Sequence, residues 1–274
     1  MKKKEFFIGI DSDGTAFDSM TIKHTKTFIP KMIEVWNLQE HSEAVFRICE
    51  EINLYSKTRG IDRFTGLQVA FDRMKAEGIP VPDYETLAAF LQCGKSLSND
   101  SLANYCKENP SLFLQELLQW SREADALFEK EVKTLNPFSP IVSILKDAVE
   151  KADIAVISSA SRSSLEIDWK KDRLCDYVTE IYGQEQGKKT VQLKMAAEGK
   201  YPKNHALMFG DALGDYEAAQ SAGIRFYPII PGKEEESWLK FQQEYAEIFF
   251  SGNYDDKCEE RSLCEFYHAL HMNQ

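Results

Sequence analysis

The chain opens on Phe6-Phe7-Ile8-Gly9-Ile10, an apolar strand that runs straight into Asp11-Ser12-Asp13-Gly14-Thr15. Two carboxylates two residues apart, at the exit of a buried strand, carry a desolvation cost that a folded protein rarely keeps without use. Much later in the chain, Ala206-Leu207-Met208-Phe209 is a second apolar strand, and it empties into Gly210-Asp211-Ala212-Leu213-Gly214-Asp215. With these two strands as neighbours, up to four carboxylates converge on one point. Such a cluster calls for a divalent cation, and oxygen-only ligands favour magnesium over zinc.

Outward from these two stretches, the chain divides by pattern. Strand-like runs are predicted at Phe6–Ile10, Asp153–Ile157, Tyr177–Tyr182, Ala206–Phe209 and Ile224–Ile230. After residue 150 they alternate with helical stretches, the pattern of a parallel α/β sheet wrapped by crossover helices. Between Thr15 and Asn136 the strand signal vanishes. Amphipathic periodicity there predicts helices over Asp18–Leu38, Ser42–Tyr55, Arg63–Glu77, Tyr84–Cys93, Ser101–Lys107 and Pro110–Lys133, with Pro30 kinking the first. Asn136-Pro137-Phe138-Ser139-Pro140 marks the return to the α/β pattern. The expected boundaries are residues 1–16 with 137–232 for the α/β core, 17–136 for a helical cap, and 233–274 for a helical C-terminal extension packed on the core. An insertion directly after the first strand hangs over the place where open α/β sheets bind ligands. In the extension, Trp238, Phe241, Tyr245, Ile248 and Phe249 form a patterned apolar set read as packing.

The bulk numbers bound the function. The chain has 274 residues, 33 basic and 44 acidic, for a net charge of −11. That balance argues against a nucleic-acid or anionic-membrane surface as the main role and leaves open a local basic site for an anionic small molecule. Six cysteines are scattered without a Cys-x-x-Cys pair, and the five histidines make no ligand pattern, so the thiols read as buried groups of a reducing compartment. The basic start Met1-Lys2-Lys3-Lys4 is followed by an apolar run that Asp11 ends, too short for a signal-peptide core. No segment approaches the ~20 apolar residues of a membrane span, and a cytoplasmic protein is expected.

Four pieces carry chemistry. Asp11 and Asp13, at i and i+2, can face one ligand, one as nucleophile and the other as general acid and base; the plainer alternatives are a turn or a helix cap. Asp211 and Asp215 offer metal ligands, with helix capping by Asp215 as the alternative. The strand Ile154–Ile157 ends in Ser158-Ser159-Ala160-Ser161-Arg162-Ser163-Ser164, where hydroxyls and backbone N–H groups suit a phosphate oxygen, although Ser163-Ser164-Leu165-Glu166 also fits a capping box. Finally, Gly187-Lys188-Lys189-Thr190 opens a helix whose lysine can balance a phosphoryl group and a nearby carboxylate.

These pieces, in this order, resemble the haloacid dehalogenase superfamily of phosphohydrolases: Asp11-Ser12-Asp13-Gly14-Thr15-Ala16-Phe17-Asp18-Ser19, then Ile157-Ser158-Ser159, then Lys188-Lys189, then Gly210-Asp211 with Asp215. The helical insertion resembles, in type and place, the caps of phosphoglycolate phosphatase and β-phosphoglucomutase-like members. The resemblance implies a Rossmann-like parallel sheet core with an inserted all-helical cap. It implies Asp11 as nucleophile, forming an aspartyl-phosphate, and Asp13 as the acid that protonates the leaving oxygen and then deprotonates water. Magnesium would be held by the Asp11 carboxylate, the Asp13 backbone carbonyl and Asp211, with Asp215 as ligand or supporting partner. Ser158 or Ser159, with Ser158 favoured, and Lys189 rather than Lys188 would hold the phosphoryl oxygens. True dehalogenases lack an acid at the second position, so Asp13 points to phosphate esters.

Thr58-Arg59-Gly60-Ile61-Asp62-Arg63 resembles the substrate-specificity segment of β-phosphoglucomutase-like caps. Arg59 and Arg63 would then clamp a second anionic group of the substrate; the alternative is two surface arginines at a helix start. The expectation is a magnesium-dependent phosphatase of a small phosphorylated metabolite. Its rivals are a phosphomutase with the same residues and a weakly catalytic binding or regulatory protein of the same fold.

Overall fold

In the computed structural model, which describes residues 4–131 and 135–272, the opening run is the central strand of a parallel sheet. The strands are β1 (Phe6–Ile10), β2 (Ala152–Ile157), β3 (Glu180–Tyr182), β4 (Ala206–Gly210) and β5 (Arg225–Pro228), in the order β3-β2-β1-β4-β5. The chain winds one way from β1 through β2 to β3 and the other way through β4 to β5. The crevice of such a sheet lies at this reversal, beyond the carboxyl ends of the strands. Ile10 is level with Val156 on one side and Phe209 on the other. Asp11, Ser158 and Asp211 therefore leave the sheet from one edge.

The strands are apolar throughout because both faces are covered. Phe7, Ala155, Ile157, Ala206, Met208 and Phe226 form one cluster with Leu193 and Phe266. Residues of the opposite parity face the other layer. There Phe209 stacks on Trp238, ring centroids 4.6 Å apart, and meets Phe241 edge-on. The C-terminal extension contributes to both coverings. Trp238 and Phe241 come from the helix Glu234–Lys240 and the turn that continues it, and Leu263 and Phe266 from the helix Asp256–Ala269. A buried ion pair fixes the second of these: Arg225 Nη1 donates to Glu259 Oε2 at 2.9 Å, and Glu259 Oε1 accepts from the Phe226 N–H at 2.8 Å.

The chain folds as two compact units, Met1–Ser19 with Leu135–Gln274, and Met20–Thr134. The second unit is helical. Its longer helices, Ser42–Leu54, Arg63–Ala76, Asn99–Glu108 and Leu112–Glu131, enclose an aromatic centre of Trp36, Phe64, Phe71, Phe90, Phe113 and Trp120. No described helix is long and apolar enough to cross a membrane.

Local differences from the sequence reading have physical causes. The run at 177–182 is a strand only over Glu180–Tyr182. Upstream, the chain is a tight helical turn (Lys171–Tyr177) that buries Leu174 instead of extending. The last strand is Arg225–Pro228, within the expected 224–230. The helix expected over 18–38 is broken by a π-helical turn, Lys23–Phe28, just before Pro30; proline lacks the N–H and crowds the preceding turn, and the wider turn absorbs both effects. The helix Arg162–Asp168 is capped by Ser161, whose hydroxyl accepts from Ser164 N at 3.3 Å, rather than by Ser163. The basic start at Met1–Lys3 and the end of the helix expected to reach Lys133 lie outside the described residues.

Candidate active site

The carboxyl edge of the sheet gathers the acidic motifs. Carboxylate oxygens of Asp11, Asp211 and Asp215 all lie within 4.8 Å of one another, and all three residues are buried. Asp11 directly follows β1, and its N–H donates to the Phe209 carbonyl of β4 at 3.0 Å, which locks the two strand exits together. Asp211 directly follows β4 and accepts from Thr15 Oγ1 at 3.0 Å. Asp215 is fully buried in the first turn of the helix Leu213–Ser221. Its Oδ2 accepts from the Ala212 N–H at 3.2 Å. Asp215 thus reaches back from inside the helix while Ala212 occupies the cap position. A Cβ at Gly210 would lie 2.3 Å from the Asp215 Cβ, so the absence of a side chain there admits the carboxyl.

Lys189, first residue of the helix Lys189–Ala197, sits between two of these acids. Its Nζ is 2.8 Å from Asp11 Oδ1 and 2.6 Å from Asp215 Oδ1, with the side chain 18 % exposed. Burial raises the Asp11 carboxyl well above the usual aspartate range; Lys189 opposes this, and the neighbouring Asp215 and Asp211 add to it. Asp215 is raised in the same way, by burial against Lys189, with Asp211 adding to it. For Lys189, burial alone would lower the ammonium, but Asp11 and Asp215 outweigh it and hold the group charged.

Asp13 stands apart from the cluster. It is half-buried, accepts from the Ser19 hydroxyl, and follows the same loop as Gly14, whose φ of +77° makes the turn without a steric penalty. Ser12 O accepts from the N–H groups of Ala16 and Phe17 at 3.0 and 3.1 Å, closing the loop on itself. Ser158 is buried at the end of β2, its N–H bound to the Tyr182 carbonyl at 3.1 Å and its hydroxyl accepting from Ala160 N at 3.2 Å. Ser159 and Lys188, the alternatives at their positions, are exposed.

Three contributors went unread in the sequence. Gln192, fully buried on the Lys189 helix, donates Nε2 to the carbonyls of Ser158, Gly183 and Gly187 at 2.8, 2.9 and 2.9 Å, tying the serine loop to the lysine helix. Trp169 Nε1 donates to Ser12 Oγ at 3.1 Å and Trp238 Nε1 to the Thr15 carbonyl at 2.9 Å. Glutamine at a helical core spacing is a weak signal, and a tryptophan in an apolar stripe reads as packing alone.

In the helical unit, Asp62 caps the helix Arg63–Ala76, accepting from Phe64 N and Thr65 N at 3.0 Å. Arg63 Nη1 donates to Asp125 Oδ1 at 2.6 Å and Ser121 Oγ at 3.0 Å, and the guanidinium lies 4.7 Å from the Phe28 ring centroid. Arg59 is buried, with Nη1 on the Leu54 carbonyl at 2.9 Å. The helix start is real; of its two arginines, Arg59 is not at the surface.

Crowded buried carboxylates whose protonation is favoured by burial are a poor resting state at neutral pH, and a hard cation reverses that preference. The donor set is all oxygen, which fits magnesium. Such a constellation beside an ammonium group suits charge development on an anionic substrate.

Comparison with known proteins agrees in family. The family model described as haloacid dehalogenase-like hydrolase matches residues 74–229, more than half of the chain, including Ser158, Lys189, Asp211 and Asp215. No curated protein matches. Among solved structures, a haloacid dehalogenase-like hydrolase from Streptococcus pneumoniae is 17% identical with a TM-score of 0.45, covering 87% of this chain and 91% of that one. A haloacid dehalogenase-superfamily hydrolase of subfamily IA from Geobacter sulfurreducens is 17% identical, TM-score 0.41, covering 82% and 87%. A predicted phosphoglycolate phosphatase from Haemophilus somnus is 16% identical, TM-score 0.48, covering 84% and 87%. With a parallel α/β core and a family match across more than half its length, the chain belongs to the haloacid dehalogenase-like hydrolases.

Proposed function

We propose that this hydrolase is a magnesium-dependent phosphatase that cleaves a small phosphate monoester through an aspartyl-phosphate on Asp11. The observation that carries the reading is the convergence of Asp11, Asp211 and Asp215 at the edge of β1 and β4, with Lys189 bridging Asp11 and Asp215. In the first step an Asp11 carboxylate oxygen forms a bond to phosphorus as the ester oxygen leaves, and Asp13 gives that oxygen its proton. In the second step Asp13, now a carboxylate, takes a proton from water. The water oxygen attacks phosphorus, inorganic phosphate departs, and Asp11 is regenerated. Lys189 holds the Asp11 carboxylate in place and, with Ser158, receives the phosphoryl oxygens. Asp11, Asp211 and the Asp13 carbonyl, supported by Asp215, would hold magnesium. When bound, the ion lets an anionic nucleophile meet an anionic ester. The free cysteines among the described residues support work in a reducing, cytoplasmic setting.

The test is a panel of sugar phosphates, phosphoglycolate and nucleotides, assayed for inorganic phosphate with magnesium and with chelator, and with Asp11→Asn as control. Release that needs magnesium and Asp11 supports the reading, whereas isomerisation with little phosphate released would make the protein a mutase. Turnover that survives either chelation or Asp11→Asn would overturn the mechanism.

A further inference from the structure

The Asp11–Thr15 loop carries the proposed nucleophile and acid and is closed by short-range backbone bonds, from Ala16 and Phe17 N–H to Ser12 O and from Gly14 N–H to Phe17 O. Two buried indoles reach it from elements distant in sequence. Trp169 donates to Ser12 Oγ, and Trp238, from the C-terminal extension, donates to the Thr15 carbonyl. A buried indole N–H needs an acceptor, and any exposed carbonyl of the core would serve; both indoles end on the same short loop. Thr15 passes the constraint on, because its Oγ1 donates to Asp211 Oδ1. The Trp238 ring acts at a second point. It stacks on Phe209, whose carbonyl accepts the Asp11 N–H at 3.0 Å. One side chain of the extension therefore touches both lines that set the distance between Asp11 and Asp211.

We propose that Trp238, seconded by Trp169, is a positioning residue for the hydrolytic site, and that the C-terminal extension works as part of the catalytic apparatus as well as covering the sheet. The proposal rests on the phosphatase reading for its activity readout and on the chain Trp238–Thr15–Asp211 for its metal readout. Groups that orient metal ligands from behind are worth about 10- to 100-fold in metal affinity. A loop displaced by a fraction of an ångström costs turnover before it costs substrate affinity.

Trp238→Phe keeps the ring on Phe209 and removes the N–H. Tyr254→Phe is the control. It deletes buried hydrogen bonds of the same extension, from the Tyr254 hydroxyl to the Phe226 carbonyl at 3.0 Å and between that hydroxyl and Ser262 Oγ at 3.2 Å, neither of them to the Asp11–Thr15 loop. Trp238→Phe is expected to raise the magnesium concentration at half-saturation about tenfold and to lower kcat by about as much, with KM for the ester within about twofold. Tyr254→Phe is expected to keep wild-type values at a comparable Tm. Adding Thr15→Val to Trp238→Phe is expected to weaken magnesium binding by less than the product of the two single effects, because both act on one line. Equal magnesium affinity and kcat in Trp238→Phe and Tyr254→Phe, or strict additivity with Thr15→Val, would overturn the positioning role. A wild-type protein that hydrolyses no ester would instead overturn the phosphatase reading, and calorimetric magnesium affinities of the same variants would still decide the positioning role. A wild type that binds no magnesium would overturn both.

Discussion

Two regions of the molecule collect charged side chains, and they treat them in opposite ways. At the sheet edge, three buried carboxylates crowd within 4.8 Å, and Lys189 reaches two of them. In the helical unit, Arg63 meets Asp125 and Ser121, and Arg59 is buried against the Leu54 carbonyl. The second group is held by partners inside its own unit. The first is an excess of one sign that burial pushes towards protonation. Arg63 is matched by a carboxylate of its own unit, whereas the three acids at the sheet edge outnumber the lysine beside them.

The contrast breaks most severely at Asp11. Asp11→Asn is expected to lower kcat by at least about a thousandfold while leaving the fold intact, as loss of a covalent nucleophile does; circular dichroism beside the phosphate assay checks both halves. Gly210→Ala comes next. The new Cβ would meet the Asp215 Cβ at 2.3 Å, and an overpacked, displaced carboxyl is expected to cost about 1–3 kcal/mol by urea unfolding and to weaken magnesium binding measured by calorimetry.

A third test uses pH. Burial raises the folded-state pKa of Asp11 and Asp215 above the ordinary 3.8, so the native state holds their protons more tightly than the unfolded chain does. Their contribution to the stability of the metal-free protein is present at low pH and falls as pH rises from about 4 through the raised values. Lys189, held charged by the same acids, stays protonated across this window. Magnesium favours the ionised carboxyls, so the magnesium-induced rise in Tm is expected to be larger at pH 8 than at pH 5; an equal rise at both would show that these acids do not bind the ion. The smallest effect is expected in the helical unit. Arg63→Gln breaks a half-exposed pair with Asp125 and is expected to cost about 1 kcal/mol or less of stability, with kcat unchanged. A large rise in KM for doubly anionic esters alone would instead give Arg63 the substrate-clamping role its motif resembles.

Much of the site was legible because each part is a local signal: an apolar strand ending in Asp11, Ser158 or Asp211, or a lysine opening a helix. What the sequence hid is dual use. The Asp215 carboxyl bonds Ala212 N with one oxygen and Lys189 with the other, and only the first of these follows from its place near a helix start. Trp238 fills an apolar stripe, so periodicity records its ring and is blind to its N–H. Gln192 fails as a signal for the converse reason, a polar side chain whose carbonyl partners come from loops that only the fold brings together. Spacing alone does not report that Arg63 pairs with Asp125, which lies on another helix.

A nucleophilic Asp11 becomes phosphorylated during turnover, and chemical trapping detects this most directly. Ester is mixed with enzyme and magnesium, the reaction is quenched in acid, and borohydride converts any aspartyl-phosphate to homoserine for peptide mapping by mass spectrometry. Homoserine is expected at position 11, absent from the chelated control and from Asp11→Asn. Homoserine at position 13 or elsewhere, or none during active turnover, would contradict it.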